Sequence, residues 1–123
     1  MKRFMLETIP VLFAAAGLGF AAIESAAQAY PSRAVRLTIP FSAGGAADVP
    51  GRIVAQRLSD SLGQQVVIEN RPGAGSTIGA EAVAKAAPDG YTLFWISNTH
   101  FVSAALDKKL AYDAHNDFTP ITQ

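Results

Sequence analysis

The chain has 123 residues, ten basic and ten acidic, so its formal net charge is zero; half of it is hydrophobic, 16% is charged and none of it is cysteine. The hydrophobic share excludes a disordered tail, and zero net charge argues against a nucleic-acid binder, which would show a basic face or stripe. Without cysteine there is no disulfide scaffold, thiolate zinc site or cysteine nucleophile; the length allows one domain at most.

The N-terminus reads as an export signal. Lys2 and Arg3 precede an apolar run from Val11 to Ile23, and Ala27-Gln28-Ala29 has the small-x-small form that places a cut before Tyr30. A membrane-spanning helix needs about 20 apolar residues; this run is shorter and meets Glu24 at its end, so a retained anchor is the poorer reading. The expectation is a signal peptide over 1–29 and a mature segment over 30–123, with no membrane span after cleavage. That segment carries eight basic and eight acidic side chains, so no field of one sign exists to steer a polyanion.

In the mature segment, strands alternate with glycine loops and helices. Val35–Phe41 is a short apolar run that predicts a strand, with Pro40 stopping its ladder. Asp48 is the expected N-cap of a helix that runs to Leu62, with Pro50 in its first turn. Val54, Leu58 and Leu62 form its expected buried stripe, and Gly63 its stop. A second strand covers Val66–Ile68 and ends at Asn70. After the loop 71–75, Ser76 or Thr77 caps a helix reaching about Ala87. Pro88-Asp89-Gly90 is a turn, Tyr91–Ser97 a third strand and Ser103–Leu110 a short helix. Residues 118–123 look like the start of another strand. This order implies βαβ units, hence an α/β fold on a parallel sheet.

In such a sheet, ligands bind beyond the carboxyl ends of the strands. Three loops fall there: Ser42–Asp48, Arg71–Thr77 and Ser97–His100. Each is rich in small or hydroxyl residues and leads into a helix. Glycine lets backbone approach a ligand closely, and N–H groups at a helix start attract anions, so a carboxylate or a phosphate would suit. Any one of these loops alone reads better as a plain tight turn; three on one edge favour a binding site.

A nucleotide fits poorly. Gly73–Gly79 spells G-x-G-x-x-x-G, one residue off the dinucleotide fingerprint, and the acidic residue expected about 20 positions later is missing. Catalysis has little support either, since no serine sits in G-x-S-x-G. His100 could reach a ligand or merely cap a helix. Arg71 could fork onto a ligand carboxylate or hold a nearby carbonyl. Asp113-x-His115-x-Asp117 is a weak metal pattern, and Phe94 and Trp95 read as core. No catalytic residue, metal or cofactor is expected.

At these loops the sequence resembles the Bug-type periplasmic receptors of tripartite tricarboxylate transporters. The stretches Glu69-Asn70-Arg71-Pro72-Gly73-Ala74-Gly75 with Ile78-Gly79-Ala80-Glu81, and Pro88-Asp89-Gly90-Tyr91-Thr92-Leu93, carry the resemblance. Ile39-Pro40-Phe41, Gly44-Gly45, Asp48, Thr99-His100, Tyr112-Asp113 and Asp117-Phe118 extend it. The resemblance implies a periplasmic-binding-protein-like fold of two α/β domains, of which residues 30–123 are part of the first. It implies a receptor that binds a small organic carboxylate and delivers it to membrane permease subunits. By position, the implied ligand residues are Phe41, Ser42, Ala43, Gly44 and Gly45 in the first loop; Gly75, Ser76 and Thr77 in the second; and Ser97, Asn98 and Thr99 in the third. The family's first loop usually has proline where Ser42 or Ala43 stands, and its second often reads Gly-Asn in place of Ser76-Thr77. The alternatives are a periplasmic α/β enzyme domain, hydrolytic or phosphate-handling, and a truncated remnant without function.

Overall fold

A computed structural model of the chain describes residues 29–107 and 109–122; the expected signal, except Ala29, lies outside them. Three strands form one sheet in the order β2-β1-β3, where β1 is Val35–Ile39, β2 is Val66–Asn70 and β3 is Thr92–Phe94. Both pairings are parallel: Val35 stands opposite Val66 and Ile39 opposite Asn70, while Leu37 stands opposite Leu93. The first strand in the chain is therefore the middle one. Val35, Leu37 and Ile39 are buried on one face and Thr38 on the other, as a central strand covered on both sides requires.

Helix α1, Asp48–Leu62, packs over this sheet. The core joins Val35, Leu37, Ile39, Ala55 and Val66, with Leu58, Leu62, Ile68, Leu93 and Trp95 against it. The expected stripe shifts around the helix: Val54 is exposed, and the inner face is Gly51, Ala55, Leu58 and Leu62. Close approach selects small residues here. A Cβ at Gly51 would lie 2.6 Å from Ile39 Cδ1, so the smallest side chains, not the branched valine, face the sheet. Gly63, at φ 65°, ends the helix with its N–H on the Ser59 carbonyl.

Asp48 is not the N-cap. It is the first residue of α1; Ala47 occupies the cap position and makes no side-chain cap bond. The Asp48 carboxylate turns back to the preceding loop, where it meets stronger partners than the helix end offers.

After β2, a 3₁₀ turn at Ala74–Ser76 leads into α2, Thr77–Ala84. This helix ends three residues before the expected Ala87. Neither hydroxyl caps it: Ser76 is left-handed at φ 77° and makes no cap bond, and Thr77 Oγ1 donates to the Ala74 carbonyl at 2.8 Å. Gly79 lets α2 sit against the end of β1, since a Cβ there would stand 2.9 Å from Pro40 Cβ and 3.0 Å from the Arg71 carbonyl.

Strands β1 and β3 are shorter than expected because the ladder needs both partners. Pro40 has no N–H to continue β1, so β3 ends at Phe94, with one further bond from the Trp95 N–H to the Thr38 carbonyl. Helix α3, Asn98–Leu106, begins five residues before the expected Ser103. Ser97, fully extended at φ −132° and ψ 174°, starts it directly after the sheet. The expected strand at 118–123 is absent among the described residues. Phe118 instead stacks on Phe94, centroids 5.5 Å apart.

Candidate functional site

Three adjacent parallel strands send their following loops out of the same sheet edge. Phe41–Gly45 follow β1, Gly75–Thr77 follow β2, and Ser97, Asn98 and Thr99 follow β3. The loops are also tied to one another. Asn70 Nδ2, at the end of β2, donates to the Phe41 carbonyl at 3.0 Å. Ser103 Oγ in α3 donates to the Gly75 carbonyl at 2.8 Å.

The loops differ in which groups they leave open. Gly44 N–H is taken by Asp48 Oδ2 at 2.8 Å, and Gly45 N–H by the Ser42 carbonyl at 3.2 Å. In the second loop the Ser76 N–H goes to the Gly73 carbonyl at 3.0 Å. The third loop differs because Asn98 and Thr99 form the first turn of α3, where N–H groups have no partner within the helix. Ser42, Ala43, Asn98 and Thr99 are exposed. The hydroxyls of Ser76 and Ser97 are enclosed and make no hydrogen bond. The edge therefore combines exposed small residues, helix-start amides and two unpartnered hydroxyls beneath them.

Asp48 lies under the first loop and is 1% exposed. It accepts from Arg52 Nε at 2.7 Å, from the Gly44 N–H and from Asn70 Nδ2 at 2.8 Å. These bonds, the Arg52 one foremost, hold its carboxyl down at about 2 despite burial. Arg52 and Asn70 are absent from the candidates read in the sequence. The Asp-x-x-x-Arg spacing of an i,i+4 pair was the available signal for Arg52.

Other candidates have structural duties. Arg71 neither reaches outward nor holds a carbonyl with its fork: its guanidinium binds Glu69, with Nη2 at 2.6 Å and Nε at 2.8 Å. His100 is neither a helix cap nor open to a ligand; it is 1% exposed inside α3. Its ring stacks on Tyr112 at 5.8 Å and meets Phe94 and Phe118 edge-on at 5.6 and 5.4 Å. Nδ1 has no hydrogen-bond partner, and burial lowers the ring's pKa. Asp113 closes a local turn by accepting from the backbone N–H of His115 and Asn116 and from Asn116 Nδ2. No group of three His, Cys, Asp or Glu among the described residues is placed to hold a metal ion. Nor is any described helix long and apolar enough to cross a membrane.

A parallel sheet whose loop edge offers amides and hydroxyls is the architecture of a periplasmic-binding-protein-like solute-binding domain. Residues 51–123 match the model of the tripartite tricarboxylate transporter family receptor, and the chain belongs to that family. BugT of Bordetella pertussis strain Tohama I is 40% identical over 120 residues, which cover 96% of this chain and 36% of that one. A UPF0065 protein of Bordetella bronchiseptica is 49% identical over 96 residues, 77% of this chain and 29% of that one. Among solved structures, MatC from Rhodopseudomonas palustris with bound malate is 44% identical at a TM-score of 0.67, covering 74% of this chain and 31% of that one. An R. palustris structure with adipate is 46% identical at a TM-score of 0.52, over 53% and 22%. The chain thus spans about a third of the length of the curated relatives it matches.

Proposed function

We propose that this chain is a periplasmic solute receptor that binds a small organic carboxylate and delivers it to membrane permease subunits. Residues 1–29 are its signal peptide, cleaved before Tyr30, and residues 30–123 supply part of the first of two domains. The ligand lies against Phe41, Ser42, Ala43, Gly44 and Gly45, against Gly75, Ser76 and Thr77, and against Ser97, Asn98 and Thr99. Loop 1 gives shape and the exposed Ser42 and Ala43; the start of α3 gives N–H donors with the positive end of the helix dipole. The reading is receptor rather than enzyme, since a site of amides and hydroxyls holds an anion without an acid, base or nucleophile to transform it.

The observation that carries this proposal is the convergence of three such loops on one sheet edge, in a chain of a receptor family. Relatives with bound malate and adipate support a carboxylate as the ligand. The test is a titration of the ¹⁵N-labelled exported protein with malate and with adipate to about 10 mM, against sodium chloride of equal ionic strength. Amide shifts concentrated at 41–45, 75–77 and 97–99 are expected. Shifts no larger than those from chloride, or gathered at the opposite sheet edge around Arg33 and Tyr91, would reject the site.

A further inference from the structure

We propose that Asp48 is the positioning residue of this carboxylate site, locking the first two loops into one rigid piece through Gly44 and Asn70. The inference rests on the receptor reading above.

Three donors converge on one buried carboxylate. Oδ2 accepts the Gly44 N–H at 2.8 Å and Arg52 Nε–H at 2.7 Å, and Oδ1 accepts Asn70 Nδ2–H at 2.8 Å. The same Asn70 amide nitrogen donates to the Phe41 carbonyl at 3.0 Å. Asp48 belongs to the first turn of α1, Gly44 and Phe41 to the loop after β1, and Asn70 to the end of β2, directly before the second loop. One side chain thereby fixes the entry to α1, the tip of the first loop and the root of the second.

The arrangement also resolves a conflict of charge. A bare carboxylate below an anion site would repel the ligand. Here Arg52 neutralises it, and the backbone N–H it accepts comes from Gly44, on the side of the loop turned toward α1. Ionised oxygens make stronger and shorter hydrogen bonds than neutral ones, so a neutral isostere at this position cannot hold three donors in the same geometry. Asparagine would set its own N–H₂ against at least one of them.

The experiment compares malate affinity and amide spectra of the exported protein with those of Asp48→Asn, Asn70→Ala and Ala55→Gly. The last variant lowers the stability of α1 away from the loops and controls for a merely structural effect. Asp48→Asn is expected to bind malate about tenfold more weakly, on the scale of one charge-assisted hydrogen bond. Its Gly44 amide should move upfield and exchange faster with solvent. Asn70→Ala should weaken binding similarly while leaving the Gly44 amide in place, so the idea is testable even where Asp48→Asn does not fold. Ala55→Gly should lower the melting temperature and leave affinity alone. Wild-type affinity in Asn70→Ala or in folded Asp48→Asn, or an equal loss in Ala55→Gly, overturns the positioning role. No malate response in the wild type overturns the receptor reading itself.

Discussion

Ser103 Oγ donates to the Gly75 carbonyl at 2.8 Å and so couples α3 to the loop after β2. Gly75 sits at φ 62°, and a Cβ built there would lie 2.5 Å from that hydroxyl. Gly75→Ala therefore meets a left-handed penalty of about 1–2 kcal/mol and displaces Ser103 as well. Ser103→Ala alone should cost about 1 kcal/mol for the lost hydrogen bond. Urea unfolding should show the double variant less destabilised than the sum of the two, because removing the hydroxyl makes room for the new methyl. Simple additivity would mean the two residues do not press on each other.

Ser76 gives the opposite expectation. It is a non-glycine residue at φ 77°, and its enclosed hydroxyl finds no hydrogen-bond partner. Ser76→Gly relieves both, against the extra unfolded-state entropy of glycine. The variant should gain about 1 kcal/mol of stability. Its malate response should change if the hydroxyl contributes to binding, so a titration beside the melting curve separates stability from function.

Asp48 should make the protein sensitive to strong acid. Its carboxyl is held at about 2, below the usual 3.8. The unfolded chain therefore takes up this proton at a higher pH than the folded chain does. The stabilisation is complete above the unfolded value and disappears as pH falls from there through the folded value. Unfolding free energies measured between pH 6 and pH 2 should decline more steeply in this window for the wild type than for Asp48→Asn; equal slopes would mean that the bonds to Arg52, Gly44 and Asn70 do not favour the ionised form.

His100 acts in a milder range. Desolvation lowers its pKa below 6.5, against a weak contact of Nε2 with the Ala114 carbonyl, while His115 adds like-charge repulsion. The folded protein thus resists the proton that the unfolded chain accepts. Stability is full above about 6.5 and falls as pH drops toward the folded value. Melting temperatures should decline from pH 7.5 to 5.5, and the amides of Tyr112 and Phe118, whose rings pack on His100, should lose exchange protection first. His100→Phe should flatten that decline; an unchanged slope would assign it to another group.

Much of this architecture was legible in the chain. The apolar run Val35–Phe41, the left-handed stop at Gly63 and the run Val66–Ile68 ending at Asn70 are local signals, and the order of strands and helices dictated a parallel sheet with its loops on one edge. The readings that changed depend on partners distant in sequence. Asp48 looks like a cap until Asn70, 22 positions on, supplies a better donor. Arg71 looks available until Glu69 folds beside it. His100 looks like a loop residue until Tyr112 and Phe118 enclose it. Val54 looks buried from its four-residue spacing with Leu58 and Leu62, but the face turned to the sheet is that of Gly51, where Ile39 leaves no room for a Cβ, and Val54 stays exposed. For the candidate loops, the shared sheet edge follows from topology, whereas the state of each amide depends on closures that spacing does not encode.

The placement of β1 between two later strands bears on how the protein forms. Synthesis proceeds from the N-terminus, so the centre of the sheet emerges before either flank. Both later strands pair with β1 alone: β2 reaches one side of it through α1, and β3 the other side after α2. Damage to this shared strand, for instance a proline at Leu37, should therefore leave both flanks without a template.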